Sequence, residues 1–219
     1  MLIALLAALL AGYLLGSLPF GAWVPAAYGV DIRRVGSGNP GATNVKRVLG
    51  RGPGNLVFAL DFGKGLLAAL LGGGLGGEVG IFLGAAGAVL GHVFPLFLGF
   101  RGGKGVAVTM GGLLILLPWA VVLGILGWLA GFYATRVVAV GSLVFAGVLF
   151  LVALVQWLAG GPVAGWEVLV ALAVAVLLTV RHRDNIGRLF RGEESSFRPR
   201  GPSASSSSSP SPRPPPASL

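Results

Sequence analysis

Cysteine is absent from this chain of 219 residues, which excludes disulfides, thiolate nucleophiles and cysteine-ligated metals. Acidic side chains are nearly as scarce: seven Asp and Glu stand against sixteen Lys and Arg, with two His. None of them falls in a metal-ligand spacing, so no metal is expected, and no cofactor is invoked. Charged residues make up only 11% of the chain and hydrophobic residues 55%, at a mean hydropathy of +0.87, which lies outside the range of soluble domains. The apolar and polar alternation of a membrane barrel is also missing, since the apolar runs are apolar on every face. What remains is an all-α, polytopic membrane protein.

Apolar runs lie near residues 2–27, 55–75, 79–100, 106–132, 137–159 and 165–180, against roughly 20 residues per helical crossing. The first has no basic flank and no small-residue cleavage site, so it reads as a retained helix. Basic residues collect on the cytoplasmic side of short loops. Arg33, Arg34, Lys46, Arg47 and Arg51 therefore place residues 31–54 inside, and the N-terminus, with no Lys or Arg before Arg33, outside. Gly72 to Glu78 is then an outer turn, and Arg101 and Lys104 return inside. A single crossing by residues 106–132 would strand Arg136 and the basic tail outside. Splitting that run at Pro118 restores parity, with halves of about 12 to 14 residues that are short, tilted or partly re-entrant. Seven transmembrane helical segments are expected, some short or broken, with the C-terminus cytoplasmic. Trp157 and Trp166 flank the last outer turn as an interfacial belt would. Small-residue pairs, Gly80 with Gly84 and Gly87 with Gly91, permit close helix packing. The formal net charge of +9 reads as membrane orientation and not as nucleic-acid binding. From Ser195 the chain becomes rich in Ser, Pro and Arg. A membrane domain over 1–194 and a disordered cytoplasmic tail over 195–219 are expected.

Three polar islands interrupt the apolar chain, and charge parity puts all of them on the cytoplasmic face. In the first, Gly36, Ser37, Gly38, Asn39 and Asn44 gather hydroxyl, amide and exposed backbone donors, with Arg47 one helical turn beyond Asn44. In the second, Gly102, Gly103, Lys104 and Gly105 lead into an apolar helix, a pattern that offers backbone N–H groups and a helix dipole to a phosphate. In the third, His182 stands between Arg181 and Arg183, whose charges disfavour the imidazolium and leave a neutral ring able to act as a base. Asn185 follows three residues later. Within the apolar zone, Asp61 and Lys64 are one turn apart and expected to neutralise each other, while His92 precedes a kink at Pro95. Gly16-Ser17-Leu18-Pro19 reads as a kink with Ser17 near freed carbonyls.

Taken together these residues resemble the bacterial membrane acyl-phosphate:glycerol-3-phosphate acyltransferases, called PlsY. The resemblance runs from about Gly16 to Glu194. It is carried by Gly16-Ser17-Leu18-Pro19-Phe20-Gly21, Asp31 to Gly50, Asp61 to Gly65, Gly91-His92 to Val106, and His182 to Glu194. It implies a seven-helix protein of the bacterial inner membrane with a cytoplasmic active site; no obligate protein partner is evident in the sequence. Such an enzyme moves a fatty acyl group from acyl phosphate to the 1-hydroxyl of glycerol-3-phosphate, giving 1-acylglycerol-3-phosphate and phosphate in phospholipid biosynthesis. The resemblance assigns Ser37 and Arg47 to the essential first motif, Gly102 to Gly105 to the glycerol-3-phosphate loop, His182 and Asn185 to the third motif, and Glu194 to a structural role. After Gly105 the chain reads Val106-Ala107-Val108-Thr109, where the family pattern is Val-Ala-Thr.

Each substrate of that reaction brings a phosphate, so two anion cradles beside a lipid-facing slot make chemical sense. A mixed anhydride is already activated, and no base stands near Ser37 in the sequence, so Ser37 is expected to bind phosphate or oxyanion, not to attack. Either His182 or the donor's own phosphate takes the acceptor proton. The competing class is an organophosphate or phosphate transporter, whose sites usually lie at the bilayer midplane between inverted repeats. No such repeat is visible.

Overall fold

The computed structural model describes residues 1–197. Nearly all of the expected tail therefore lies outside the described residues. The secondary structure is helical throughout: α1 (Leu2–Ser17), α2 (Phe20–Ala26), α3 (Ala42–Leu49), α4 (Arg51–Val93), α5 (Val106–Leu113), α6 (Pro118–Thr135), α7 (Val138–Leu158), α8 (Gly165–Arg181) and α9 (Arg183–Phe190). Leu18 and Pro19 break α1 from α2, the kink expected there. Ser17 does not bond a freed carbonyl; its hydroxyl oxygen accepts from the Leu96 N–H at 3.3 Å.

Among the described residues, four helical stretches are long and apolar enough to cross a membrane, or five if the pair α8–α9, bent by 58°, counts as one. One of them, Arg51–Leu98, covers 48 residues and doubles back at Gly76 and Gly77. Gly77 has φ +60°, a left-handed conformation that only glycine adopts at no cost. The two legs of α4 then run side by side so closely that a Cβ on Gly72 would meet the Gly80 carbonyl at 2.0 Å. This turn sits where the apolar runs 55–75 and 79–100 leave a gap.

The run 106–132 divides just before Pro118, as charge parity requires, but unequally. Proline occupies the first position of α6, where its missing N–H is not needed, so it starts a helix of 18 residues and leaves α5 with 8. At 1.5 Å per residue α5 is only about 12 Å long, far short of a roughly 30 Å hydrocarbon core.

Lipid is as apolar as a leucine side chain, so helix association here depends on close contact and not on expulsion of water. Small residues provide it. Gly84 and Gly91 on the second leg of α4 lie against backbone of the first leg and of α1 respectively, and Gly87 lies against Leu9 and Tyr13. Phe145, Leu117, Leu149 and Leu178 fill the core between α4, α5, α7 and α8 with almost no exposure. Outward faces carry Leu67, Leu70, Leu126, Leu151 and Val155, which suit a lipid surround. The three polar islands meet at one end of this bundle.

Candidate active site

The first island owes its shape to Asn44, in the first turn of α3. Its amide oxygen accepts from the Ser37 N–H at 2.9 Å, and its amide nitrogen donates to the carbonyls of Ile32 at 3.2 Å and Val35 at 3.0 Å. All the amide's reach goes to the loop, so Asn44 shapes the site instead of offering itself to a phosphate, which corrects the sequence expectation. Gly36 and Gly38 turn the chain with positive φ; neither lines the central cavity. Ser37 is left exposed on the rim, with Asn39 beside it. Arg47, in the last turn of α3, reaches the interior.

The second island is fastened to the end of α4. Gly102 N–H donates to Val93 and Gly103 N–H to His92, both at 3.1 Å, while Arg181 holds the Gly102 and Gly103 carbonyls at 3.3 and 3.1 Å. Those two N–H groups are therefore committed within the protein, not pointed at an anion. Glycine is required for another reason: a Cβ on Gly102 would stand 2.0 Å from the His92 carbonyl and one on Gly103 2.2 Å from the His92 ring. Lys104 follows, and Gly105, at φ +91°, turns the chain into α5. The first-turn residues Val106 and Ala107 line the cavity with Lys104 and Gly105, so the backbone N–H groups left without helical partners on this side are those of the first turn of α5 and not those of the two preceding glycines.

The third island closes the far wall. His182 stands in the bend beyond α8, buried, and its Nδ1 lies 2.8 Å from the Leu178 carbonyl. A carbonyl only accepts, so Nδ1 carries the proton and Nε2 of a neutral ring keeps its lone pair. Burial, followed by the charge of Lys104, lowers the His182 pKa to about 4. The neutral ring was expected, but its cause is chiefly desolvation. Arg181 contributes least, and Arg183 is exposed and 3.7 Å from Asp184. Asn185 accepts from Lys104 Nζ and donates to Glu194 at 2.7 Å. Glu194, its side chain 3% exposed, also accepts from Arg188 at 2.7 Å and lies 4.0 Å from Arg47. One carboxylate thus orders three polar partners. Burial, with help from Arg188 and Arg47 and against Glu194, lowers the Lys104 pKa to about 8.

Ser37, Asn39, Asn44, Arg47, Asp61, His92, Lys104, Gly105, His182, Asn185 and Glu194 therefore all border one cavity of about 120 Å³. Lys64 does not. It sits behind Asp61 at 2.8 Å and donates to the Leu18 carbonyl at 2.9 Å, while His92 Nδ1 approaches the same carboxylate at 3.4 Å. This buried trio braces the wall. The lining also includes Phe58, Trp128 and Ser142, which sequence reading missed, and Thr43, which lies in the first island but was given no role; of the three missed, only Ser142, a hydroxyl in an apolar run, carried a signal. Ala42, Thr43, Phe58, Trp128 and Val138 also border a second, apolar cavity of about 500 Å³, which continues between α4, α5 and α6 past Phe62, Met110 and Leu129. A polar chamber with two cations thus shares a wall with an apolar slot.

The family model for glycerol-3-phosphate acyltransferase matches residues 6–192. The chain belongs to that family. A glycerol-3-phosphate acyltransferase of Synechococcus sp. (strain JA-3-3Ab) is 45% identical over 87% of this chain and 92% of its own length. Another, from Aquifex aeolicus (strain VF5), is 43% identical over 84% of this chain and 95% of its own. Among solved structures, PlsY (YgiH), an integral membrane glycerol 3-phosphate acyltransferase, matches in its glycerol 3-phosphate form with a TM-score of 0.80 and 38% identity, over 89% of this chain and 96% of that one. Its lysophosphatidic acid form matches with a TM-score of 0.77 and 40% identity, over 89% and 95%. The chain is accordingly an integral membrane protein of an acyltransferase family, and the all-helical bundle is that family's fold.

Proposed function

We propose that this enzyme acylates the 1-hydroxyl of glycerol-3-phosphate with acyl phosphate as donor, in the bacterial inner membrane. The observation that carries the reading is the junction of cavities: Arg47, Lys104 and the first turn of α5 surround a chamber whose wall is shared with an apolar slot. A phosphate on an acyl chain fits that junction, and a second phosphate on a soluble acceptor fits the chamber. The basic loops favour seven helical segments with the N-terminus outside and the chamber facing the cytoplasm.

In the reaction, the acceptor hydroxyl oxygen attacks the acyl carbon, the new C–O ester bond forms, and the bond from the acyl carbon to the phosphate oxygen breaks. Inorganic phosphate leaves with the electron pair. Arg47 and Lys104 hold phosphate oxygens, and Asn185 keeps Lys104 aimed while Glu194 keeps Asn185 and Arg188 in place. Ser37 hydrogen-bonds a phosphate or the developing oxyanion. His182 Nε2 takes the hydroxyl proton, in competition with an oxygen of the departing phosphate. Positioning and charge stabilisation carry most of the acceleration, since the anhydride is already activated. No protein partner or cofactor is invoked.

Purified protein in detergent, given palmitoyl phosphate and labelled glycerol-3-phosphate, is expected to form labelled lysophosphatidate and equimolar phosphate without any membrane gradient. Absence of lipid product from palmitoyl phosphate, with product from palmitoyl-CoA instead, would reject the donor assignment.

A further inference from the structure

The family match ends at residue 192, yet the segment after it returns across the site. Glu194 ties it to Asn185 and Arg188, the Ser195 carbonyl accepts from Arg47 at 3.1 Å, and the Phe197 N–H donates to the Arg136 carbonyl at 2.8 Å. The segment 194–197 is thereby tied down at three residues, Phe197 by its own N–H. The Phe197 ring lies 5.3 Å from the Arg47 guanidinium, packs edge-on against Phe132 at 6.2 Å and forms part of the apolar slot. Ser195 and Phe197 belong to the stretch that the sequence reading assigns to a disordered tail, and both make these contacts with the membrane domain.

Arg47 borders the polar chamber and Phe197 the apolar slot, so the pair stands where a phosphorylated chain changes from anion to hydrocarbon. Resting on the proposed acyl transfer, we infer that Phe197 is a donor-positioning residue: its ring steadies the Arg47 guanidinium on the acyl phosphate while the first methylenes of the chain lie against it. The acceptor carries no chain and does not reach the slot. Phe197 therefore acts on one substrate only, and near its head, so short and long donors depend on it alike.

The test compares the full-length wild type with Phe197→Ala and Phe197→Tyr, measuring kcat and KM for decanoyl phosphate, palmitoyl phosphate and glycerol-3-phosphate. Alanine is expected to raise KM for both donors by about five- to tenfold, the loss of one partly desolvated cation–π contact and about one methylene's burial. Acceptor KM is expected to stay within about twofold, and tyrosine, which keeps the aromatic face, to behave as wild type. Unchanged donor KM, an equal rise in acceptor KM, or a tyrosine variant as impaired as alanine would overturn the inference. Should the alanine variant fail to fold, Phe197→Leu carries the test, because it fills the slot without offering Arg47 a ring. A donor KM raised about threefold or more then supports the role, and a wild-type donor KM refutes it. Wild-type protein that makes no lipid from acyl phosphate would sink the underlying reading, whereas an active wild type with an indifferent Phe197 sinks this inference alone.

Discussion

Raising the pH from about 7 to about 9.5 should weaken glycerol-3-phosphate binding progressively, because Lys104 loses its proton across that range. Burial is the main cause of its lowered pKa of about 8, against an ordinary 10.5. That gap corresponds to roughly 3 kcal/mol for keeping the empty site charged, at ~1.4 kcal/mol per pH unit. The phosphate's second ionisation lies near 6, so the ligand's own charge is constant over this range. If only the ammonium form binds, the acceptor KM climbs towards about 30-fold by pH 9.5, within the 10- to 150-fold worth of roughly 1.5–3 kcal/mol for a charged hydrogen bond. The bound dianion restores the proton, so kcat at saturating acceptor should stay level. Initial rates of phosphate release at saturating palmitoyl phosphate, corrected for spontaneous hydrolysis, read both constants. Lys104→Gln should show the weakened KM already at pH 7 and no further rise. Stability should move the other way: between about 8 and 10.5 the unfolded chain holds the proton that folded Lys104 lacks, so the melting temperature of the apoprotein rises with pH from this group. That opposition separates Lys104 titration from alkaline unfolding. A wild-type KM flat from pH 7 to 9.5, or a Lys104→Gln profile that rises like wild type, would refute the assignment.

His182→Ala should lower kcat by about 10²-fold or more with acceptor KM little changed, and a purely KM effect would reduce His182 to a binding group. Since the His182 pKa is lowered to about 4, the ratio of wild-type to His182→Ala kcat/KM, in which the substrate's own ionisation near 6 cancels, should show no inflection near the ordinary histidine value of 6.5 and should fall only as the pH drops through about 4. The corresponding stability is complete above about 6.5 and is lost on acidification, as the unfolded chain protonates first. Asn44→Ala removes three hydrogen bonds to the Ser37 loop and should cost roughly 2–4 kcal/mol, together with a fall in kcat/KM; an unaltered thermal melt would show that the loop holds its own shape. Asp61→Leu strands Lys64 in the wall and should destabilise by about 3–5 kcal/mol, with recovery in Asp61→Leu/Lys64→Met. A single variant as stable as wild type would contradict the bracing role.

Much of the site was legible because its residue types are out of place in lipid. A His, a Lys or an Asn in a chain with only 11% charged residues stands out against the apolar background, and Ser37, Arg47, Lys104, His182 and Asn185 all reach the same chamber, together with Glu194, which only the family resemblance singled out. What each does there was less legible. Asn44 looked like a ligand donor and turned out to be a loop organiser, because its chemistry is identical in both roles and only the position of the Ile32 and Val35 carbonyls decides between them. Gly102 and Gly103 looked like an anion nest, whereas their N–H groups close onto the end of α4, a partner 9 to 11 residues away in the chain. Phe197 gave no signal at all: one aromatic in a Ser- and Pro-rich stretch says nothing until Arg136 and Arg47 are seen to hold it.

The amino-acid sequence by itself determined that the chain is a helical membrane protein, where its helices break and which of its groups can meet an anion. Those properties depend on local quantities: hydropathy summed over about 20 residues, the fixed φ of proline, the freedom of glycine, and the charge of loops. Tertiary structure alone decided which donors remain free for a substrate, that burial sets the proton affinities of Lys104 and His182, and that the polar chamber lies wall to wall with an apolar slot. Each of these depends on atoms brought together from distant parts of the chain, as when Lys104 meets Asn185 across 81 residues, and no local pattern encodes that meeting.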